Sequence, residues 1–460
     1  MKETIVLYPA PAFHHIVSMV EVGKLILQHH PNFSLTILVG TMPSDTPTAN
    51  SYIDNISKTN LPISFLSLPS IPAASAFEFM RLIVHHALDA LRTLYLSSSV
   101  LALVTSGFLF SDYDLNVPIY FYFSSCAASL STLLYLPTIH NQTTESFKDL
   151  NDTFFHIPGL PPIKASLMPQ PLLQRDDPVY QYFLDFASFL PKSKGIIINT
   201  FDSLEPRAIR AIADGACVPN GVTPAIYSIG PLITDAKDRA GASNESLAWL
   251  DAQPNRSVVF LCFGSKGTFS EVQIEKIAYG LERSNQRFLW VVKSPKGPTT
   301  EPNLEELLPK GFLERTKERG FVVKSWAPQN AILRHESVGG FVTHCGWNSV
   351  LEAVSYGVPM VAWPLYAEQH LNATVLVEEM KLALPIHMAT SSKGSGEEEG
   401  VATAEEVEKS LRELMELEEG KVLRKRSLEI RAMAMAAWTT GGSSFTAFSK
   451  LAASLKQGLY

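Results

Sequence analysis

The sequence has few cysteines, no long apolar run and no basic block. Four of its 460 residues are cysteine, and none of them forms a C-x-x-C pair, which argues against a disulfide framework and against a zinc site. No stretch approaches the roughly 18 to 20 uninterrupted apolar residues that a membrane-spanning helix needs. The 38 Lys and Arg against 45 Asp and Glu give a formal charge of −7, so a nucleic-acid partner is not indicated.

The first residues also lack the pattern of a secretory signal, because the apolar stretch before Pro9 is far shorter than the apolar centre of a signal peptide. Together with the sparse cysteines, this predicts a soluble, cytoplasmic protein that does not insert into membranes. We also expect a monomer. The 46% of hydrophobic residues is enough to build a large buried core.

The first half of the chain alternates short apolar runs with amphipathic stretches. Residues 4–8 and 35–39 are predicted strands, and a helix is predicted between them from about His15 to Gln28. This order is typical of a parallel sheet with helices between its strands. Further strand candidates in this half are residues 63–66, 101–104, 118–123, 195–200 and 225–230.

The alternation starts again after a small, polar stretch at 234–246, which predicts an exposed linker. The second half repeats the strand–helix order, beginning with strand candidates at 257–263 and 287–292. We therefore predict an α/β fold made of two Rossmann-like, doubly wound domains that face each other across a cleft. The predicted bounds are 1–238 and 246–440 for the two domains, and 441–460 for a C-terminal helix that packs back on the first.

The densest cluster of unusual residues is the segment from Trp326 to Gln369. Its HCGWNS turn leads into a helix, where glycine allows close approach of the backbone and the helix N-terminus attracts phosphate. Trp326 offers an aromatic plane for a base, and Glu352 offers a carboxylate for ribose hydroxyls. Glu368 and Gln369 could hold the hydroxyls of a sugar. Together they indicate a nucleotide-sugar site, whereas the HCGWNS turn alone could be an ordinary helix cap.

This segment closely resembles the signature box of plant UDP-sugar-dependent (family 1) glycosyltransferases, with its opening WAPQ, central HCGWNS and closing EQ. The opening YPAPxxHHIVSMVEVGK, then NTFDSLEPRA, SIGPL, SLAWLDAQP and VVFLCFGSKGTFS, also look like this family, so the resemblance covers nearly the whole chain. Members that glucosylate flavonoids and related phenolics are especially similar. The resemblance implies the GT-B fold, with the acceptor held mainly by the first half and the UDP-sugar mainly by the second.

The resemblance also implies roles for individual donor-binding residues. Trp326 would stack on uracil, and Ala327 would contact the base through its backbone. Gln329 would lie near the ribose, whose hydroxyls Glu352 would bind. The diphosphate would be bound by Ser265, His344, Trp347, Asn348 and Ser349, and Gly346 is a further donor-binding residue.

Glu368 and Gln369 would hold the sugar in the same scheme. A Gln at the end of the box is associated in the family with glucose and a His with galactose, so UDP-glucose is the favoured co-substrate. No further cofactor is implied. No metal is required if the helix amides and His344 offset the charge of the diphosphate, and no plausible DxD pair lies beside the box.

The acceptor needs a base, because a phenol has a pKa of about 10 and histidine titrates near neutrality. His14 and His15 follow the first strand, and the family alignment gives His15 the catalytic position. The family orients this histidine with an aspartate, but Ser106 stands at the aspartate position here, and the stretch from there to Pro118 is shorter than usual. Asp112 could replace the aspartate if the short loop folds back, or could be a surface residue. Ser106 could also act through a water.

The sequence therefore predicts an inverting glucosyltransferase that moves glucose from UDP-glucose to a hydroxyl of a flavonoid-like or other phenolic molecule. Inversion follows from direct displacement, since no covalent nucleophile is indicated. The alternative is a degenerate family member that binds a UDP-sugar or a phenolic with little turnover, which the absent aspartate motivates. An NAD-dependent oxidoreductase is disfavoured because the first βα loop, PAPAFHH, lacks GxGxxG.

Overall fold

The computed structural model divides the chain into two compact units. Unit 1 comprises Met1–Arg239 with Ala434–Tyr460, and unit 2 comprises Ala240–Met433. Most of the predicted linker lies outside the described residues. The structure describes residues 3–42, 45–97, 99–107, 117–150, 152–234, 244–297, 300–388 and 400–456.

Unit 1 is built on a parallel sheet. Its strands are β1 (Glu3–Tyr8), β2 (Ser34–Val39), β3 (Ile63–Ser67), β4 (Ser99–Thr105), β5 (Ile119–Phe123), β6 (Phe154–Phe155), β7 (Ile163–Lys164), β8 (Gly195–Ile198) and β9 (Ala225–Ser228). Seven of them form one sheet in the order β3-β2-β1-β4-β5-β8-β9, and β6 pairs antiparallel with β7. The central strands are almost wholly buried, as expected for a parallel sheet covered on both faces.

The helices of unit 1 connect these parallel strands. They are α1 (Phe13–His29), α2 (Thr46–Ser57), α3 (Ala76–Ser97), α4 (Ala127–Gln142), α5 (Pro178–Phe189) and α6 (Pro206–Ala213). The apolar face of α1 packs on the sheet at Gly23, where a Cβ atom would lie 2.9 Å from Leu35 Cδ1 and 3.1 Å from Leu7 Cδ1. Glycine at this point therefore lets the helix that carries His15 pack closely against the strands.

Unit 2 holds a second parallel sheet, of six strands. They are β10 (Val258–Cys262), β11 (Arg287–Val292), β12 (Gly320–Lys324), β13 (Val338–Thr343), β14 (Met360–Ala362) and β15 (Ala383–Pro385), in the order β12-β11-β10-β13-β14-β15. The strand order reverses direction between β10 and β13, and ligands bind at the carboxyl ends of the strands at such a switch point. The prediction of two doubly wound parallel sheets is confirmed.

The helices of unit 2 are α7 (Asn244–Asp251), α8 (Glu271–Ser284), α9 (Leu304–Leu307), α10 (Phe312–Thr316), α11 (Gln329–Arg334), α12 (Trp347–Tyr356), α13 (Gln369–Glu378), α14 (Ala404–Met415) and α15 (Glu418–Ala437). The helices α11, α12 and α13 each follow a strand of this sheet and begin at or beside residues of the signature segment. In the parts of the chain that the structure describes, no helix is both long and apolar enough to cross a membrane.

The last helix, α16 (Ser443–Lys456), packs in unit 1. Phe448, Leu451 and Leu455 are fully buried in the core around β1 and α1, and the hydroxyl groups of Tyr120 and Ser454 are 2.6 Å apart. Residues 434–440, which the sequence analysis assigned to the second domain, also group with unit 1. The boundary between the units, at residues 433 and 434, lies inside the continuous helix α15. No proline, glycine or polar linker marks it in the sequence.

Candidate functional site

The loops at the carboxyl edge of the unit 2 sheet contain unusual backbone. Three non-glycine residues adopt left-handed conformations there, Ser325 with φ 61°, Cys345 with φ 63° and Ala367 with φ 56°. Such conformations are uncommon for residues with a side chain, and they cluster at functional sites. Each of the three is the direct neighbour of a predicted site residue, namely Trp326, His344 and Glu368.

Gln329, Ser349 and Glu352 form one hydrogen-bonded group. The amide nitrogen of Gln329, the first residue of α11, donates to Glu352 Oε2 at 2.7 Å and to Ser349 Oγ at 2.9 Å. Ser349 and Glu352 lie one turn apart on α12, and the Glu352 side chain is buried. The amide thus fixes the orientation of a buried carboxylate, and the structure brings these three predicted residues together.

Trp326 is the most accessible aromatic residue of this edge. It follows β12 at once, its backbone N–H donates to the Lys324 carbonyl at 2.6 Å, and 45% of the residue is exposed. Ala327 is buried, and its carbonyl accepts from the N–H of Gln329 at 2.8 Å. A large aromatic ring fixed at a strand end with half of its surface open is suited to stacking on a planar ligand.

His344 is buried at the end of β13 between two glycines. A Cβ atom on Gly346 would lie 2.5 Å from its Nε2, and one on Gly264 would lie 2.7 Å from its Cε1. Glycine at both positions therefore makes room for the ring. Burial, with a smaller contribution from the charge of Lys293, lowers the pKa of His344 to about 3. The imidazole is therefore neutral, and it can act here as a hydrogen-bonding group rather than as a cation.

The Nδ1 atom of His344 has no hydrogen-bond partner among the residues that the structure describes. A buried polar atom without a partner is costly, and it marks a place where a ligand could bind. The adjacent turn is held rigidly, because Asn372 Nδ2 donates to the Cys345 carbonyl at 3.0 Å and the N–H of Cys345 donates to Thr343 Oγ1 at 3.2 Å. The ring of His344 is thus fixed by the turn that follows it.

The start of α12 has no side-chain cap. Gly346 is the N-cap residue, Trp347 is buried and Asn348 is partly buried. The partial positive charge of a helix N-terminus attracts anions. Ser265 is exposed in the loop after β10, next to Gly264, whose φ of 73° places it in the left-handed region.

Glu368 and Gln369 begin α13, beyond β14. The carboxamide oxygen of the buried Gln369 accepts from the backbone N–H groups of Leu365 and Tyr366 at 2.9 and 3.0 Å. This fixes the orientation of the amide, with its nitrogen as the donor end. Glu368 is the partly buried N-cap residue of the same helix, where its side chain makes no cap hydrogen bond.

In unit 1, His14 and His15 lie in the first turn of α1 rather than in the preceding loop. His14 is exposed and His15 is partly buried, with their ring centroids 4.1 Å apart. The Oγ atom of Ser124, just after β5, is 3.3 Å from His15 Nδ1. The sequence analysis missed Ser124, although parallel strands β1, β4 and β5 end at the same edge of the sheet and a polar residue after β5 was therefore a candidate.

Ser106 has a structural role at this edge. Its Oγ accepts from the N–H of Ala10 at 3.1 Å, and its own N–H donates to the Tyr8 carbonyl at 3.0 Å. Ser106 therefore ties the end of β4 to the loop that leads into α1. Asp112, the other candidate partner of His15, lies outside the described residues.

All four cysteines are buried free thiols. Within the described ranges, no three His, Cys, Asp or Glu side chains are grouped as the ligands of a metal ion would be.

A family model described as "UDP-glucoronosyl and UDP-glucosyl transferase" matches residues 178–397. The chain is 47% identical to an anthocyanidin 5,3-O-glucosyltransferase of a Rosa hybrid cultivar, over 99% of both chains. It is 48% identical to a phloretin 2'-O-glucosyltransferase of Malus domestica, over 96% of this chain and 98% of the relative.

Solved structures are similar over the whole chain. UGT2 of Phytolacca americana, in complex with UDP-2fluoro-glucose and pterostilbene, superposes with a TM-score of 0.86 at 34% identity, over 99% of this chain and 100% of the other. UGT71G1 of Medicago truncatula, in complex with UDP-glucose, gives a TM-score of 0.86 at 32% identity, over 99% and 98%.

Proposed function

The chain belongs to the UDP-glucosyl transferase family, with the GT-B fold, and we propose that it transfers glucose from UDP-glucose to a hydroxyl of a flavonoid-like or other phenolic molecule, with inversion at C1. The observation that carries the proposal is the hydrogen-bonded group of Gln329, Ser349 and Glu352 beside an open Trp326. The relatives named for anthocyanidin and phloretin support the choice of acceptor class.

We assign the uridine to the carboxyl end of β12 and the first two turns of α12. The ring of Trp326 stacks on uracil, and the backbone of Ala327 contacts its edge. The Glu352 carboxylate accepts hydrogen bonds from the ribose hydroxyls, and Gln329 holds that carboxylate in place. The support is the 2.7 Å bond between Gln329 and Glu352, which leaves little freedom to the acid. An oriented carboxylate binds ribose hydroxyls without reorganisation, so more of the interaction appears as affinity.

The diphosphate is assigned to the N-terminus of α12 and the loop after β10. The backbone around Gly346, Trp347 and Asn348, the hydroxyls of Ser265 and Ser349, and the ring of His344 are its proposed partners. The uncapped start of α12 and the unpartnered His344 Nδ1 support this assignment. A neutral imidazole serves here as a hydrogen-bonding group.

The glucose is assigned to Glu368 and Gln369. The fixed amide of Gln369 presents its nitrogen as donor, and Glu368 supplies a carboxylate acceptor. A donor and an acceptor side by side distinguish hydroxyls by their orientation on the ring, because a mismatched hydroxyl leaves one of them unsatisfied. The family resemblance associates a Gln at the position of Gln369 with glucose, so UDP-glucose is the proposed donor in preference to UDP-galactose.

His15 is the proposed base. It accepts the proton of the acceptor hydroxyl as that oxygen attacks C1, and the bond from C1 to the diphosphate oxygen breaks with its electron pair leaving on UDP. Ser124 is the proposed holder of the ring, because its Oγ lies 3.3 Å from Nδ1. If the Nδ1–H donates to Ser124, Nε2 carries the lone pair that takes the proton.

The test is a product screen. Purified protein is incubated with UDP-glucose and a panel of flavonoids, dihydrochalcones, simple phenols and terpenoid alcohols, and products are identified by mass. We expect hexosylated phenolics, slower reaction with UDP-galactose, and β-linked glucose by NMR. Undiminished activity in EDTA is expected, because the proposed reaction uses no metal. Tight UDP binding without product from any acceptor would refute the proposed transfer.

The proposed setting is the cytosol, with the protein as a monomer. Four buried free thiols suit a reducing compartment. Fluorescent fusion imaging tests the location, and light scattering after size exclusion tests the mass against 50.7 kDa.

A further inference from the structure

The diphosphate site described above has no cation among its assigned residues. His344 is the titratable base of the group, and burial keeps it neutral because its pKa is about 3. Helix amides contribute partial charges only. A UDP-sugar carries full negative charge on its phosphates, and more charge develops on the diphosphate as the bond to C1 breaks. The site therefore calls for a positive charge, and Lys266, the lysine of the FGSKG loop, is exposed.

Lys293 lies directly after β11, outside the signature segment. The sheet order β12-β11-β10-β13 puts its Cα at the same edge as Trp326, Ser265 and His344. Its Nζ donates a hydrogen bond to the carbonyl of Gly264, the residue before Ser265. Gly264 packs against the imidazole of His344, so the hydrogen bond to its carbonyl places the ammonium close to that ring.

The ammonium of Lys293 has no acidic partner in the described part of the chain. Its only hydrogen bond found there is to a neutral carbonyl, and the side chain is partly buried, which lowers its pKa. Removing an ammonium group from water is unfavourable unless an opposite charge compensates it. The unpartnered Nδ1 of His344 is a second, independent sign that a ligand belongs at the same place.

We propose that Lys293 supplies the positive charge that binds the diphosphate of the donor and stabilises the departing UDP. The proposal rests on the proposed function, since it concerns the same donor site. Lys293 stays protonated throughout. The electron pair of the broken bond goes to the phosphate oxygen of UDP, and the nearby ammonium offsets the charge that this oxygen gains.

If Lys293 has this role, its contribution to ligand affinity increases with the negative charge on the phosphates of the ligand. Uridine has no phosphate, so its affinity is independent of Lys293, whereas the affinities of UMP and UDP depend on it increasingly. A purely structural role, in which Lys293 only holds the loop through Gly264, affects all three ligands alike.

The experiment compares three variants. Lys293→Gln removes the charge but keeps an N–H donor for the Gly264 carbonyl, and Lys293→Arg keeps the charge. Lys296→Gln is the matched control, because Lys296 is exposed three residues further along. Dissociation constants for uridine, UMP and UDP are measured by calorimetry, kcat is measured with UDP-glucose and a phenolic acceptor, and thermal unfolding verifies the fold.

For Lys293→Gln we expect a uridine Kd within twofold of the wild type, a UDP Kd raised about 10- to 100-fold and a lower kcat, with most of the UDP affinity restored in Lys293→Arg. Equal losses for uridine and UDP, or an unchanged UDP Kd, would overturn the proposal. Should Lys293→Gln fail to fold, Lys293→Met carries the same test.

The outcome separates the two proposals. If the wild type binds UDP more tightly than uridine but Lys293→Gln keeps that preference, only the role of Lys293 fails. If the wild type binds UDP and yields no glucoside, the proposed function fails while the Lys293 test on binding still stands.

Discussion

The candidate site residues of unit 2 and those of unit 1 are held in different ways. In unit 2, Gln329 connects Ser349 and Glu352 through bonds of 2.9 and 2.7 Å, and left-handed residues fix the neighbouring turns. In unit 1, His15 is partly buried and its Nδ1 has Ser124 at 3.3 Å. The proposed nucleotide side thus contains a preorganised network, whereas the contact of Ser124 with the proposed base is longer.

This difference corresponds to a difference in task. A nucleotide is the same in every turnover, so a rigid network of buried groups gains affinity from preorganisation. A base has to change its protonation state during the reaction, which a fully buried imidazole such as His344 would resist. The partial exposure of His15 is compatible with that change, and the following predictions test the contrast.

The largest effect is expected at the base. His15→Ala removes the proton acceptor and should lower kcat about 10²- to 10⁴-fold, while the UDP Kd stays unchanged because the proposed donor residues belong to unit 2. His387→Ala is the control, since that ring is exposed and belongs to unit 2. Steady-state kinetics with a phenolic acceptor and calorimetry with UDP measure both. Full activity of His15→Ala on every acceptor would show that another group is the base.

The next largest effect is expected at Glu352. Glu352→Ala removes one of the two acceptors of the Gln329 amide and the proposed ribose ligand, so the UDP Kd should rise about 10- to 100-fold. The loss should be much smaller for UDP lacking the ribose hydroxyls. Glu378→Ala, an exposed carboxylate on α13, is the control. An equal loss for both nucleotides would exclude Glu352 as the ribose ligand.

A third prediction concerns pH and the buried imidazole. The pKa of His344 is about 3 in the folded protein and about 6.5 when unfolded, so the unfolded state binds an extra proton as the pH falls below about 6.5. Its contribution to stability is therefore lost on acidification, at up to about 1.4 kcal/mol per pH unit. NMR of the labelled ring should show it neutral at pH 5. A ring that titrates near pH 6.5 would contradict this. In denaturant titrations, the stability of His344→Gln should fall less steeply than that of the wild type as the pH drops below about 6.5.

The smallest effect is expected at Ser124. Ser124→Ala should lower kcat about 3- to 10-fold, because a hydrogen bond of about 1 kcal/mol that orients the ring is lost. The pH profile of kcat/KM should shift, the UDP Kd should stay constant, and Ser124→Thr should restore most of the rate. If the pH profile of kcat/KM were unchanged in Ser124→Ala, Ser124 would not be the residue that orients His15.

Much of the fold was predictable because buried parallel strands carry a strong local signal. The strands at 287–292 and 35–39 were predicted to within one residue of β11 and β2. The short β6 and β7 carry no such signal, since two-residue strands have no periodicity. The first helix was predicted to begin at about His15, two residues after the actual start of α1 at Phe13, because no side-chain cap marks that start.

The signature segment allowed most of the proposed donor-binding residues to be named, because they are close in sequence and follow successive strands of one sheet. The protonation states of these residues could not be predicted from the sequence. The neutrality of His344 follows from burial and from the nearby Lys293, and Lys293 lies outside the segment. The contact of Ser124 with His15 joins residues 109 positions apart.

The sequence by itself determined that two parallel α/β sheets form and that the nucleotide residues follow the strands of the second, because hydrophobic periodicity and a contiguous motif are local properties. Only the tertiary structure decided which groups meet across strands: that Ser106 secures the loop before α1, that Ser124 faces His15, and that Lys293 lies beside His344. Contacts between residues far apart in the chain, and the burial that sets their charge, depend on the packing of the whole sheet.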